Sequence, residues 1–315
     1  MPTARHPALL APLPWVTLTE GVPTARHPAL LTPRPAYALA MPEGHTLFAL
    51  ARDLHEAFAG TTPEVSSPQG KFTEGAAELS GRELLRATSR GKHLLVEFTG
   101  DRWLHVHLGL IGSFTVDSHE WTAEVPAVGQ VRLRLRTEQH VADLRGPNLC
   151  EVATPEKVDE VLDRLGPDPL RPDADPDVAW ARISRSSRTI GELLMDQSVL
   201  AGVGNVYRSE VLFRHRLSPF TEGRHLRRAS WRLIWDDLER LMPLGVATGR
   251  IVTVEDQVLE VEAALGRGEV PRLSERSSYV YKRGGMPCLH CGSKVRSQVV
   301  AGRNLFWCGR DQRRR

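Results

Sequence analysis

The run Leu194-Met-Asp-Gln-Ser-Val-Leu-Ala-Gly-Val-Gly-Asn-Val-Tyr207 carries the most informative local pattern in this chain. Apolar residues at helical spacing predict one helix over 189–199 and a second over 206–215. Gly202 and Gly204 separate the two helices, and glycine allows the chain to turn tightly there. The run therefore predicts two helices joined by a tight turn.

The turn between these helices is a candidate anion site. Glycines leave unpaired backbone amides pointing outward at the N-terminus of the second helix, where anions bind. An ordinary helix–helix turn would explain a glycine pair as well. Asn205 is a side-chain donor, and three arginines lie nearby in sequence: Arg185, Arg188 and Arg208. Together they favour phosphate as the ligand of Gly204 and Asn205.

The same helical spacing extends to both sides of the turn. It predicts further helices over 156–165, 175–185 and 227–241. We therefore expect an all-helical domain over 156–278.

The preceding part of the chain changes from helix to strand. Pro42 suits a first helical turn, and apolar residues at three- and four-residue spacing continue that helix to Gly60. Apolar residues then alternate with polar ones over 93–98, 103–108 and 130–136, which predicts strands. An antiparallel sandwich or flattened barrel over 42–155 follows, and the whole chain is of the α+β multidomain class.

Two residue types in this sheet invite a functional interpretation. His105 and His107 share one face of a strand, which raises the question of a metal site. Two histidines without a third ligand favour hydrogen-bonded packing instead. Cys150 is expected to be a buried structural thiol.

The C-terminal segment, 279–315, has the spacing of a zinc ribbon. Cys288 and Cys291 form a Cys-x-x-Cys pair, and Cys308 follows where a second pair would begin. Asp311 stands at the expected fourth position, where a carboxylate is a harder ligand than a thiolate. His290 or a water is the alternative fourth ligand. Zn²⁺ is the expected cofactor.

Composition and charge narrow the class of protein. Hydrophobic residues make up 41% and charged residues 25% of the 315, as in folded globular chains. The net charge is +3, but residues 281–315 carry nine Lys or Arg against one acid, which indicates a polyanion partner. Four cysteines are too few for a disulfide scaffold, so we expect a reducing, intracellular compartment. No apolar run approaches the roughly 20 residues of a membrane span, and no secretory signal is expected.

Residues 1–41 form a separate, Pro-rich segment. They hold eight of the 22 prolines, and the sequence PTARHPALL occurs at 2–10 and again at 23–31. Prolines this frequent exclude a helix or a central strand. We expect a disordered extension, translated from a start codon placed too early, rather than a recognition arm.

Five motifs in order resemble the formamidopyrimidine-DNA glycosylase and endonuclease VIII family. The resemblance covers 42–311 and is strongest to the endonuclease VIII branch. The motifs are Met41-Pro-Glu-Gly-His-Thr, Ser89-Arg-Gly-Lys-His-Leu-Leu, His107-Leu-Gly-Leu-Ile-Gly-Ser, the run 194–207 quoted above, and the ribbon with Gly302-Arg303-Asn304.

The resemblance implies a bifunctional DNA glycosylase and abasic-site lyase of base excision repair. Pro42 would be the mature N-terminus, with its secondary amine as nucleophile at the sugar C1′, and Glu43 the general acid and base. Lys92 matches the lysine used in proton transfer and phosphate contact. Arg303 matches the arginine that holds the phosphates at the lesion and assists the second elimination.

The resemblance also implies DNA contacts beyond the catalytic residues. Such enzymes extrude the damaged base and fill the gap. Leu110 falls at the wedge position with Ile111 beside it, and Gly109 stands where a polar filler is placed; two core residues at a strand end are the alternative. Arg145 aligns with an arginine that faces the opposite strand. The expected partner is double-stranded DNA bound by a monomer, with a nucleoid-associated location and no membrane contact.

Two departures from the family pattern keep other functions open. With residues 1–41 in place, the Pro42 nitrogen is an amide whose lone pair cannot attack C1′. A DNA-binding protein without lyase activity is therefore an alternative. Asp311 in place of cysteine puts metal affinity in question. An RNA-binding zinc ribbon is the third hypothesis, and it would need single-strand stacking aromatics around the tail.

Overall fold

The computed structural model describes residues 42–118, 126–271, 273 and 278–313. The extension expected at 1–41 lies outside these residues. The described chain divides into two compact units. The first holds Pro42 and Thr46–Asp163, and the second holds Glu43–His45 together with 164–313.

The first unit is built on two antiparallel four-stranded sheets, ordered β1-β6-β7-β5 and β2-β3-β4-β8. The strands are β1 (Glu64–Ser66), β2 (Leu84–Arg90), β3 (His93–Phe98), β4 (Arg102–His107), β5 (Ser113–Ser118), β6 (Val131–Arg136), β7 (His140–Arg145) and β8 (Leu149–Ala153). Helices α1 (Gly44–Phe58), α2 (Thr73–Leu79) and α3 (Pro155–Asp163) accompany them, and the first two residues of α1 group with the second unit.

The expected sandwich is confirmed, and its strands follow the sequence pattern closely. β3 spans the predicted residues, β4 is shifted by one residue at both ends, and β6 begins one residue later than predicted. The core-facing residues are fully buried, for example Leu94, Val96, Leu104 and Leu133. Strands β3 and β4 are buried on both faces apart from terminal residues, and their polar residues Glu97 and His105 are buried as well.

The second unit is helical up to a C-terminal hairpin. Its helices are α4 (Pro176–Ile183), α5 (Ile190–Leu193), α6 (Asn205–Arg214), α7 (Arg228–Thr248) and α8 (Glu255–Gly266). Trp231, Trp235 and Leu238 of α7 are among its buried core residues. The hairpin consists of β9 (Val295–Val300) and β10 (Arg303–Cys308).

Three helical predictions differ from the structure. Helix α7, predicted over 227–241, continues to Thr248 with Pro243 inside it. The helix predicted over 189–199 ends at Leu193, because the Asp196 side chain accepts a hydrogen bond from the backbone N–H of Ser198 at 3.0 Å and favours a turn. Helix α8 was not predicted, although Val258, Val261 and Ala264 bury one face at three-residue spacing. In the described part of the chain, no helix has the length and apolar character needed to cross a bilayer.

Candidate active site and zinc centre

Glu43 is a buried carboxylate seated on the N-terminus of helix α6. Its oxygens accept hydrogen bonds from the backbone N–H of Gly204 at 2.9 Å, of Val206 at 2.8 Å and of Tyr207 at 3.4 Å. The side chain is 1% exposed. Three N–H donors and the positive end of the helix dipole favour the ionised carboxylate there.

Glycine is required at two positions to bring Glu43 onto α6. A Cβ on Gly204 would lie 2.4 Å from the Glu43 Cδ. A Cβ on Gly44 would lie 2.8 Å from the Gly202 Cα, and the Gly44 N–H donates to the Gly202 carbonyl at 2.8 Å. The expectation of outward-pointing, unpaired amides is therefore wrong, because the anion at this helix N-terminus is the chain's own Glu43.

Asn205 is buried and engaged on both sides of its amide. Its Nδ2 donates to the Asn304 carbonyl at 2.9 Å, and its Oδ1 accepts from the Arg208 guanidinium. Burial lowers the pKa of Arg208 to about 10, so the group stays cationic at neutral pH. The Arg208 contact fixes the amide orientation of Asn205. Contact of Gly204 and Asn205 with DNA stays a prediction.

Arg303 opens strand β10 beside the tip of the C-terminal hairpin. Ala301 and Gly302 form the tip, both with positive φ (48° and 72°), as a tight two-residue hairpin turn requires. The hydrogen bond from Asn205 to Asn304 ties this tip to the N-terminus of α6. Glu43 and Arg303 also both act on the pKa of Arg208, the carboxylate raising it and the guanidinium lowering it. Two of the four predicted catalytic residues thus belong to one unit and one electrostatic environment.

Lys92 lies in the other unit, at the turn between β2 and β3, beside three histidines. His93 Nδ1 is 2.9 Å from His105 Nε2, and the His93 and His107 rings are 5.2 Å apart. The sequence interpretation missed His93, although strand register places it on the same face as the other two. His105 is buried and hydrogen-bonded to His93 and Glu151, which agrees with the packing interpretation of that residue.

The loop between β4 and β5 presents two apolar side chains to solvent. Leu110 is 48% exposed and Ile111 is 89% exposed. Both values exclude the alternative of two core residues at a strand end. Gly109 has a φ of +71°, and a Cβ there would lie 2.8 Å from the Asn148 Cβ, so the turn depends on glycine.

Two other predicted residues have defined partners in the first unit. Arg145 forms an ion pair with Asp143 at 2.7 Å and donates to the Val128 carbonyl at 3.0 Å. Its contact with DNA stays a prediction. Cys150 is half-buried rather than fully buried, and burial raises the pKa of its thiol to about 12. A thiol with a raised pKa is unreactive, which agrees with the expected structural role of Cys150.

The C-terminal hairpin brings four potential metal ligands together. The Sγ atoms of Cys288, Cys291 and Cys308 and a carboxylate oxygen of Asp311 all lie within 4.8 Å of one another. Backbone N–H groups of His290 and Asp311 point at the sulfurs of Cys288 and Cys308, at 3.4 and 3.5 Å. Three thiolates and one carboxylate fit a tetrahedral structural Zn²⁺ site.

Asp311, rather than His290, completes this ligand set. Burial alone would raise the pKa of Asp311, but hydrogen bonds from the three cysteines and His290 lower it to about 2. His290 Nδ1 lies 3.1 Å from Asp311 Oδ1 and so supports the carboxylate from outside. An ionised carboxylate held in this way is ready to bind a cation.

We expect His290→Ala to weaken zinc binding by about tenfold, because an outer partner orients the ligand that it hydrogen-bonds. Competition with a chromogenic chelator measures the affinity. Asp311→Cys is the matched comparison and should tighten binding, since thiolate is the softer ligand. Unchanged affinity in His290→Ala would show that Asp311 needs no support from His290.

Three family models match the chain in order along its sequence. The formamidopyrimidine-DNA glycosylase N-terminal domain matches residues 41–149, and the formamidopyrimidine-DNA glycosylase H2TH domain matches 165–256. The zinc finger found in FPG and IleRS matches 285–314. Together they cover most of the chain, and each falls on the corresponding part of the fold.

Individual proteins agree with these matches. Endonuclease 8 1 of Mycobacterium tuberculosis is 47% identical over 270 residues, which cover 85% of this chain and 98% of that protein. The formamidopyrimidine-DNA glycosylase of Thermus thermophilus is 32% identical over 228 residues, 72% of this chain and 82% of its own. A crystal structure of the Lactococcus lactis formamidopyrimidine-DNA glycosylase with abasic-site DNA shares the fold, with a TM-score of 0.69 at 21% identity, covering 86% of this chain and all of that one. The chain belongs to the formamidopyrimidine-DNA glycosylase and endonuclease VIII family.

Proposed function

We propose that this protein is a bifunctional DNA glycosylase and abasic-site lyase that removes oxidised bases, preferentially pyrimidines, from duplex DNA. The observation that carries the proposal is the carboxylate of Glu43, buried on the N-terminus of α6 and directly following Pro42 in the chain. A catalytic carboxylate needs a fixed position beside its nucleophile, and the three backbone donors fix this one. The resemblance to the endonuclease VIII branch implies the pyrimidine preference, and the similarity to Endonuclease 8 1 of Mycobacterium tuberculosis supports placement in that branch.

The chemistry at Pro42 requires a free secondary amine. Its lone pair attacks C1′ as the bond to the damaged base breaks, and the amine proton is lost. The C1′–O4′ bond of the sugar then breaks, O4′ takes up a proton, and an iminium between the proline nitrogen and C1′ is left. The fixed positive charge of the iminium withdraws electrons, which allows loss of the C2′ proton and then of the 3′ phosphate. Glu43, as an ionised carboxylate, accepts the amine proton and returns it to a leaving atom.

This mechanism needs Pro42 as the first residue of the active form. A free α-amino group has a pKa of about 8, so part of it is neutral near pH 7. An amide nitrogen has no such lone pair. The family match begins at residue 41, one residue before Pro42. This start supports an active form whose first residue is Pro42.

Lys92 and Arg303 bind phosphate in this proposal. Arg303, beside the hairpin tip, holds the phosphates at the lesion, and its planar guanidinium suits paired hydrogen bonds to phosphate oxygens. Lys92 contacts a phosphate of the damaged strand and takes part in proton transfer. Zn²⁺ bound at Cys288, Cys291, Cys308 and Asp311 would cross-link the hairpin that carries Arg303.

The exposed loop residues Leu110 and Ile111 fill the space left by the extruded base. Apolar wedges between base steps are a known way to hold unstacked DNA open. Arg145 faces the opposite strand in this arrangement. We infer a nucleoid-associated, intracellular enzyme, since its substrate is chromosomal DNA.

Borohydride trapping tests the proposal directly. The form beginning at Pro42 and the full 315-residue chain are each incubated with abasic-site duplex DNA, and borohydride then reduces any iminium to a stable adduct. We expect an adduct with the short form, located on Pro42 by peptide mass spectrometry, and none with the full chain. Electrophoretic binding assays with both forms are the control for DNA binding.

The other outcomes are equally informative. A short form that folds and binds DNA but yields no adduct would contradict the enzyme assignment and leave a DNA-binding protein without lyase activity. An adduct on Lys92 instead of Pro42 would make the Lys92 amine the nucleophile.

A further inference from the structure

A line of hydrogen-bonded side chains crosses one sheet of the first unit towards Lys92. Glu151 of β8 is the direct cross-strand partner of His105 on β4, and its carboxylate lies 3.0 Å from His105 Nδ1. His105 Nε2 lies 2.9 Å from Nδ1 of His93 on β3. His93 directly follows Lys92 in the chain.

The order of partners fixes which ring nitrogens carry hydrogen. An ionised carboxylate only accepts, so His105 must donate from Nδ1. Its Nε2 is then a lone pair, and His93 must donate to it from Nδ1. The remaining nitrogen of His93, Nε2, is therefore a lone pair as well. The opposite orientation would aim the Nδ1 lone pair of His105 at the carboxylate.

The surroundings keep both rings neutral. Burial, together with the smaller electrostatic effects of His105, His107 and Lys92, lowers the pKa of His93 to about 3. Burial also lowers the pKa of His105, against the opposing effect of Glu151. Lys157 of α3 also lowers the pKa of His105 and is itself paired with Glu160 at 3.2 Å.

The members of the line differ in their access to water. The side chain of His105, in the middle, is 3% exposed, whereas that of Glu151, at one end, is 37% exposed. His107 lies outside the line, next to the His93 ring, and its Nδ1 accepts from the Gly109 N–H at 3.2 Å, so a neutral His107 carries its hydrogen on Nε2. The line thus connects a carboxylate at the surface to the surroundings of Lys92.

We propose that Glu151, His105 and His93 form a proton relay that serves Lys92, with His93 Nε2 as the atom that exchanges the proton. A proton bound at His93 Nε2 releases the Nδ1 proton of His93 to His105 Nε2, and His105 releases its own Nδ1 proton to Glu151. No net charge is left on the buried rings, and Glu151 exchanges the proton with water. The reverse sequence returns one proton to the Lys92 side and restores the starting tautomers.

The inference rests on the proposed function, in which Lys92 takes part in proton transfer. His105 and Glu151 are positioning residues here, because neither reaches Lys92 directly along the line.

Glu151→Gln separates the relay from a merely structural role. The amide oxygen can still accept a hydrogen bond from His105, but the amide cannot take up a proton. In the form beginning at Pro42, we expect the single-turnover rate of strand nicking to fall at least about tenfold, with DNA affinity unchanged. The solvent isotope effect on that rate should change as well, which loss of packing alone would not produce.

Lys157→Gln is the matched control, because it alters the charge near His105 without touching the line. Its nicking rate should stay within about twofold of the unaltered protein, as expected for an exposed side chain. A Glu151→Gln rate that also stays within that range would overturn the relay.

Nitrogen-15 NMR of the DNA-free protein tests the tautomers independently of activity. We expect hydrogen on Nδ1 of His93 and His105 and on Nε2 of His107. Hydrogen on Nε2 of His93 would contradict the relay even in an active enzyme. Absence of trapping in the unaltered protein would contradict the proposed function instead, and the NMR result would still decide the tautomers.

Discussion

Glu43→Gln is expected to reduce base excision by about 10²–10⁴-fold, the usual contribution of a general acid or base. The amide cannot accept the proton released by the nucleophile. It also turns one N–H₂ group towards backbone N–H donors of α6, so at least one of the three hydrogen bonds to Gly204, Val206 and Tyr207 is lost. Single-turnover release of an oxidised pyrimidine from duplex DNA measures the effect.

Binding to an uncleavable abasic-site analogue is the control for this variant. Affinity should stay close to that of the unaltered protein, because the Glu43 side chain is buried against its own chain. Base excision within about threefold of the unaltered rate would remove Glu43 from the general acid–base role, since a residue in that role contributes far more.

Gly204→Ala is expected to reduce excision almost as strongly, without changing any group that reacts. The new Cβ would lie 2.4 Å from the Glu43 Cδ and 2.7 Å from its Oε1, closer than a Cβ atom approaches non-bonded atoms in real structures. Gly204 has a negative φ of −125°, so alanine suits the backbone there and the effect comes from displacing the carboxylate. A misplacement of about 1 Å can cost on the order of 10²-fold in rate.

Gly266→Ala is the matched glycine control, since a Cβ at that position meets no atom within 4 Å. We expect unchanged excision and unchanged thermal stability within about 0.5 kcal/mol for this surface change. A Gly204→Ala protein with full activity would mean that Glu43 works from a position other than the N-terminus of α6. Circular dichroism and thermal melting check that both variants fold.

Local pattern predicted most of the secondary structure. Alternation located β3, β4 and β6, although β3 and β4 are buried on both faces and their polar residues Glu97 and His105 are buried as well. Helical spacing gave the wrong end for the helix predicted over 189–199. Apolar residues continue at that spacing past Leu193, but the Asp196 side chain accepts a hydrogen bond from a backbone N–H and favours a turn instead. Hydrophobic periodicity does not register such side-chain competition.

The candidate site was predictable as a set of residues but not as an arrangement. Motif order identified Glu43, Lys92 and Arg303. Pattern alone suggested free amides at Gly204, because nothing local shows that a carboxylate 161 residues earlier occupies them. His93 was missed for the same reason, since its partners His105 and Glu151 become neighbours through strand pairing.

The sequence by itself determined the family, the α+β class, the strands of the sandwich and the three cysteines of the zinc ribbon. Those features depend on residue type and spacing, which are local properties of the chain. The tertiary structure decided that Glu43 caps α6, that Asn205 ties the Arg303 hairpin to that helix, and that Glu151, His105 and His93 form one line. Each of these contacts joins polar groups that are far apart in sequence and become neighbours only in the folded chain. A buried polar group needs a hydrogen-bond partner, and the tertiary structure decides which one it has.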